Sequence, residues 1–384
     1  MYRRKETLIL SIFSLIVVIN LYFSVQKWNL KSNSKRYFVF DSKMNETNNN
    51  FDTIPDVIRT TLSDLSVKHA YNYHDATIVF TNKLDDIENL RKMRYSKKCK
   101  WIYGLRSINM LCSKSVLALV IRNYNNNKFK YSIPKTYVIS HRPDYIELMN
   151  REFDPKSGKP LQPLLLKKNI QRQNGIKFVL HKDDIQIEDG SNNNVVCQVL
   201  LTNPYLMNSR KINMRIYLLI ICDNSLHKTF AYIYNDGFMY YTKEHFSMNE
   251  VNHDTQITTG YIDRKVYQEN PLTISEFIKT KLKKDEEVNF RKSLVKLFKD
   301  VLQCYKPIFE INEFDHGPNH FVLLGCDIAP DENLDLKLLE INKGPDLTFK
   351  DRRDEKLKRD MVKNALSAVV NSEYKTIPNY INVL

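Results

Sequence analysis

Short runs of β-branched and aromatic residues, each bounded by turn formers, mark most of this chain as strand. Residues 76–80, 101–103, 163–168, 176–180, 195–201, 212–222 and 229–234 all fit that description. The period then changes to that of a helix. Leu294, Leu297, Phe298, Val301, Leu302 and Tyr305 recur at i, i+3, i+4, i+7, i+8 and i+11, which is one apolar face. Lys292, Lys296 and Lys299 fall on the opposite, solvated face. Thr273-Ile274-Ser275-Glu276 is a capping box that opens an earlier helix. Helices are also predicted over 115–121 and near 353–370, and Asn235-Asp236-Gly237 predicts a tight hairpin turn. Strands follow strands and helices follow helices, so the fold class is α+β with antiparallel strands, not a βαβ alternation.

The N-terminal region has a different pattern. Residues 8–25, LILSIFSLIVVINLYFSV, carry no charge and are long enough as a helix to cross a hydrocarbon core of ~30 Å. Arg3, Arg4 and Lys5 precede them, and no small-residue cleavage site follows. The expected organisation is a basic tail at 1–7, a transmembrane anchor at 8–26 and a polar, Asn-rich stalk at 27–70. A small N-terminal α/β domain at 71–150 and the main body at 151–384 complete it. Localisation is expected to be membrane, single-pass. Lys27, Lys31, Lys35 and Arg36 follow the segment, so the positive-inside rule leaves the side of the body undetermined. The Asn45-Glu46-Thr47 sequon matters only for a luminal body.

Composition narrows the function. Only nine glycines occur, and none forms GxGxxG or GxxxxGK[ST]. Rossmann dinucleotide binding, P-loop NTPases and glycine-looped protein kinases therefore lack their phosphate cradles. The six cysteines form no CxxC pair, which argues for free thiols in a reducing compartment. Lys+Arg 58 against Asp+Glu 44 gives +14, with seven basic residues and one acidic residue in 1–36. The remaining excess suits acidic partners, whether nucleic acid, an anionic membrane or acidic protein tails, and charge alone does not choose among them; acidic protein tails are the partner expected, and no nucleic acid.

Two patterns carry chemistry. Residues 321–328 and 336–342 read as a hairpin, and centring it between Asn333 and Leu334 places Asp327 opposite Glu340. Period-two alternation then puts Leu338, Glu340 and Asn342 on one face, with Leu339 and Ile341 on the other. Opposed carboxylates repel, whereas three oxygen donors on one face suit a hard cation such as Mg²⁺; a solvated outer face is the competing reading. In Lys211-Ile212-Asn213-Met214-Arg215-Ile216-Tyr217 the polar residues share one face. Two cations and an amide there suit polyphosphate or carboxylate, and equally a solvated sheet face. Lys167, at the end of LLLKK before the polar stretch 169–174, offers a point charge beside a loop able to cover phosphates.

Read in order, LLLKKNIQRQNGI (164–176), VVCQVLLTNPYLMNSRKINMRIYLL (195–219), YIYNDGFMYYT (232–242) and GCDIAPDENLDLKLLEINKGPDL (325–347) resemble the tubulin tyrosine ligase-like family of ATP-grasp ligases. The resemblance extends over roughly 100–370 and includes Ile133-Pro134-Lys135-Thr136-Tyr137. It implies an ATP-grasp fold, with ATP held between two antiparallel sheets, and an ATP- and Mg²⁺-dependent ligase. Such a ligase would add a free amino acid, by glutamylation or tyrosination, to a protein such as tubulin through an acyl phosphate. By the same resemblance, Lys167 and Lys211 meet ATP phosphates, while Gln198, Leu200 and Leu201 border the adenine and Asn213 stands in the nucleotide site. Asp327, Glu340 and Asn342 hold the metal. Arg215, Lys211 and Glu340 carry the catalytic assignments, with Lys114 and Thr258 on the substrate side.

The chain departs from the family pattern at four places, one of them the phosphate loop at 169–175, which has a single Gly and is a residue shorter. The family usually has an acidic residue where Asn213 stands and an Arg near Tyr240, and its Leu-Thr-Asn motif is here Ile257-Thr258-Thr259. These departures leave an alternative: a catalytically inactive, membrane-tethered protein that binds nucleotide or acidic tails.

Overall fold

The computed structural model describes residues 35–40, 54–81, 84, 96–125, 128–168, 175–186, 194–258 and 260–384. Strands β1 (Arg36–Phe40), β2 (Lys68–His69), β3 (Ile78–Thr81) and β4 (Trp101–Tyr103) come first, with helix α1 (Asp56–Asp64) between β1 and β2. Helices α2 (Ile108–Cys112) and α3 (Lys114–Asn123) lead to β5 (Thr136–Val138), α4 (Arg142–Arg151), β6 (Leu164–Lys168), β7 (Ile176–Phe178) and β8 (Asn194–Val199). Then come β9 (Leu206–Met207), β10 (Arg210–Asp223) and β11 (Lys228–Tyr241). Helices α5 (His253–Gln256), α6 (Arg264–Glu269), α7 (Ile274–Lys281) and α8 (Lys284–Asn312) follow. The chain ends with β12 (Asn319–Pro330), β13 (Leu336–Lys343), α9 (Arg352–Asn371) and β14 (Tyr380–Asn382).

Two sheets face the site. The small one is antiparallel, in the order β5-β8-β6-β7. The large one is mixed: β14-β11-β10-β12 run antiparallel, and β12-β4-β3-β1-β2 continue the same sheet in parallel. β12 serves both halves because its first residues pair with β4 and its later ones with β13. The expected small N-terminal α/β unit thus shares a sheet with the body.

Strand β10 shows how alternation builds this sheet. Ile212, Met214, Ile216, Leu218, Ile220 and Cys222 enter one core beside α8. On the other face Tyr217, Leu219 and Ile221 enter a second core, beneath α9 and α1. Lys211, Asn213 and Arg215 occupy the start of that second face, where the sheet lines a cleft instead.

Several expectations need correction. Among the described residues no helix is long and apolar enough to cross a membrane. Residues 8–26, the expected anchor, lie outside the described residues, as does the sequon. The anchored fold and the single-pass membrane localisation are therefore withdrawn, together with the membrane as a partner. Within the expected stalk, Tyr37, Phe38, Val39 and Phe40 form a buried strand, and Val57, Ile58 and Leu62 bury one face of α1. Local apolar patterning there outweighs the Asn-rich composition around it.

Asn235-Asp236-Gly237 is not a turn. β11 runs straight through it with a bulge, and the reversal from β10 comes earlier, over residues 224–227. Gly237 is needed for close approach: a Cβ there would lie 2.1 Å from the backbone oxygen of Arg215. Asp236 uses its carboxylate to accept from the backbone N–H of Ser275 at the start of α7. The capping box at Thr273 and Glu276 forms as the sequence predicts, and the apolar face from Leu294 to Tyr305 is buried.

Candidate active site

Between the two sheets lies a cleft of about 1290 Å³, and all twelve site candidates from the sequence line it. Residues 169–174 and Thr259 lie outside the described residues.

One end is apolar, formed by Leu165, Leu200 and Ile257 packed together. Beside it Lys167, on β6, donates from Nζ to Oε1 of Gln198 on β8 at 2.5 Å. Gln198 in turn donates to Thr136 at 2.8 Å, so its amide is oriented from both sides. Lys211, from β10, donates to the carbonyl of Leu201 at 3.0 Å, and the N–H of Leu200 is used by Pro163. Burial pushes Lys167 down to about 8, with the charge of Glu340 acting the other way. Lys211 falls to about 7, through burial and through the positive charge of Lys167. Two buried lysine amines thus face one cavity, a pattern able to take an anion.

The acidic end is built on β12 and β13. Asp327 and Glu340 are register partners, as the hairpin geometry predicts. The ladder slips immediately afterwards, because Ile328 pairs with Leu338 and Leu339 is an extra residue on β13. This bulge corrects the expected faces. Leu338 and Ile341 point into the core, whereas Leu339, Glu340 and Asn342 all line the cleft. Strict alternation could not reveal it.

Each carboxylate has a basic partner. Arg215 grips Asp327 with two bonds, Nε to Oδ1 at 2.5 Å and Nη2 to Oδ2 at 3.1 Å. Its guanidinium lies across Gly325, where a Cβ would come within 2.8 Å of Nη1, and 5.4 Å from the centre of the Tyr240 ring. Lys114, at the start of α3, pairs with Oε2 of Glu340 at 3.0 Å. Asn342 bridges the two acids, its Nδ2 donating to Glu340 at 3.0 Å and to Asp327 at 3.3 Å. Burial would raise Glu340, but Lys114, the Asn342 amide and Lys167 hold it at about 2. Asp327 is pushed up by burial and by the charge of Glu340, against the pull of Arg215.

The donor set fits a hard cation. Among the described residues no three His, Cys, Asp or Glu gather at metal-binding spacing. Asp327, Glu340 and Asn342 supply two carboxylates and an amide, the oxygen donors that Mg²⁺ takes when water and phosphate complete its shell. Asn342 would have to turn its Oδ1 inward.

Asn213 donates from Nδ2 to Oγ1 of Thr258 at 2.8 Å, and its own Oδ1 is buried without a partner. The sequence pattern did not single out Gly325, the Leu339 bulge or the α1 wall at residues 54–59. A lone glycine inside a strand and the Val57, Ile58, Leu62 spacing were the available signals.

The sequence of this chain matches the tubulin-tyrosine ligase family over residues 92–377. The chain belongs to that family. Among family members it is 29% identical over 196 residues to the probable tubulin polyglutamylase TTLL9 of Rattus norvegicus, covering 49% of this chain and 40% of the relative. It is 30% identical over 202 residues to the probable tubulin polyglutamylase ttll-9 of Caenorhabditis elegans, covering 48% and 44%. Tubulin polyglutamylase ttll6 of Danio rerio matches at 23% over 329 residues, covering 80% of this chain and 40% of the relative. The matched region is thus less than half the length of each of these relatives. Strands β1, β2 and β3 and helix α1 precede the family match.

Proposed function

We propose that this chain is an ATP- and Mg²⁺-dependent carboxylate–amine ligase that adds glutamate to acidic protein tails, with tubulin as the acceptor. The observation that carries this reading is the meeting of buried Lys167 and Lys211 with Asp327, Glu340 and Asn342 in one cleft of a tubulin-tyrosine ligase family chain. The relatives are named tubulin polyglutamylase or probable tubulin polyglutamylase, which favours glutamylation over tyrosination.

The residues divide the work by charge. Lys167 and Lys211 meet polyphosphate in a desolvated setting, where their charges act strongly. Asp327, Glu340 and Asn342 would hold Mg²⁺, which offsets charge on the phosphates. A substrate carboxylate oxygen attacks the γ-phosphorus and ADP leaves; an amine nitrogen then attacks the acyl carbon and phosphate leaves. Arg215, fixed by Asp327, Gly325 and Tyr240, presents a cation on the same sheet face as Lys211 and orients the reacting carboxylate.

The full chain incubated with ATP, Mg²⁺, labelled glutamate and tubulin tests the reading. Label transferred to tubulin supports it. Nucleotide binding without transfer supports instead the binding-only alternative, which Asn213, Tyr240 and Ile257-Thr258-Thr259, standing where the family has other residues, favour.

A further inference from the structure

We propose that Lys114 is the resident counter-cation of the acidic pair and competes with the metal for Glu340. This rests on the metal assignment above.

Both oxygens of Glu340 are already engaged: Oε2 by Lys114 and Oε1 by the Asn342 amide. Asp327 is engaged at both oxygens by Arg215. A dication entering between the acids competes with both basic groups for the same negative charge, and those groups sit on different elements. Arg215 makes a planar two-bond fork, packs over Gly325 and lies near the Tyr240 ring, all within the large sheet. Lys114 reaches Glu340 with one ammonium on a flexible stem, from a helix outside that sheet. The pair is largely shielded from water, with side-chain exposures of 12% and 25%, so its charges are screened less than on an open surface.

Lys114 is also the first residue of α3, after Ser113, whose Oγ accepts from the Val116 N–H. Its neighbour α2 is tied to the end of β13 by the Lys343–Asn109 hydrogen bond. Release of Lys114 thus removes one of the polar links between the α2–α3 segment and the metal hairpin. Without bound metal Lys114 offsets the repulsion between the two facing carboxylates; on metal entry it leaves Glu340.

The sign of one substitution tests this. Mn²⁺ binding to the full chain, without nucleotide, is measured by electron paramagnetic resonance at pH 8 and low salt. Lys114→Met removes the competitor and is expected to tighten Mn²⁺ binding by roughly three- to tenfold, the range for a partly shielded ion pair. Damage to the fold would weaken binding, so a gain is not what a merely structural role produces. Lys114→Arg keeps the charge and should stay within about twofold of wild type. Unchanged or weaker binding in Lys114→Met, with binding lost in Glu340→Gln, overturns the competition while leaving the metal site standing. Absence of Mn²⁺ binding in both wild type and Lys114→Met overturns the metal assignment, and the proposal with it.

Discussion

Asp327 and Glu340 face each other across the β12–β13 ladder, and each is matched by a basic side chain from a different element, Arg215 on β10 and Lys114 on α3. A solvated hairpin face needs no such arrangement. Opposed carboxylates in a cleft are stable here because two cations and the Asn342 amide surround them.

Glu340→Gln removes the repulsion from Asp327 and also the contact with Lys114. These effects oppose each other, so the stability of the ligand-free protein should change by less than about 1 kcal/mol. Mg·ATP at a hundredfold excess over Kd should stabilise the wild type by about 2.7 kcal/mol, and the variant much less. Thermal melts of both proteins with and without Mg·ATP check this; equal shifts remove Glu340 from the metal site.

The depressed lysines predict proton uptake on nucleotide binding. A polyphosphate favours the charged form, while Lys211 at about 7 and Lys167 at about 8 lose their protons in the empty cleft as pH rises. Apparent affinity for Mg·ATP should therefore fall from pH 7 to 9, by at most about tenfold per pH unit for each lysine. Calorimetry at pH 8 in two buffers of different ionisation heat measures the uptake, and Lys211→Met should lose its share. Binding at pH 8 without proton uptake contradicts this reading.

Much of the site was legible because period-two alternation is a local property. The polar face of Lys211, Asn213 and Arg215 and the Asp327–Glu340 register both follow from counting along strands. What escaped depends on the partner strand or on distant packing. The Leu339 bulge changes which residues share a face, and Gly237 serves a close backbone approach that resembles a turn signal in one dimension. The parallel pairing of β4 with β12 joins segments more than two hundred residues apart, which no local pattern encodes. The membrane expectation rested on the apolarity of residues 8–26, their basic flank and the missing cleavage site; those residues lie outside the described ones, and no described helix supports it.

Gly237→Ala distinguishes the two roles of that glycine. Its Cβ would collide with the Arg215 backbone, so the substitution should destabilise the protein by roughly 1–3 kcal/mol. Urea denaturation measures the loss. A stability equal to wild type contradicts the close approach.

Removing residues 1–91, so that the chain begins where the family match begins, deletes β1, β2, β3 and α1. β4 becomes a sheet edge, and Trp101, Leu357 and Met361 lose apolar neighbours. The shortened chain should aggregate or lack a cooperative melt, whereas a chain from residue 35 should keep one. Gel filtration and circular dichroism distinguish them; a cooperative melt of the shorter chain near that of the longer one contradicts the shared sheet.

As proposed, this cleft joins a carboxylate to an amine at the expense of ATP. Transfer of labelled glutamate to tubulin by the full chain, with Glu340→Gln alongside, tests it most directly. Incorporation should require both ATP and Mg²⁺ and fall by at least about a hundredfold in the variant. Wild-type protein that binds Mg·ATP yet transfers no glutamate to tubulin would contradict it.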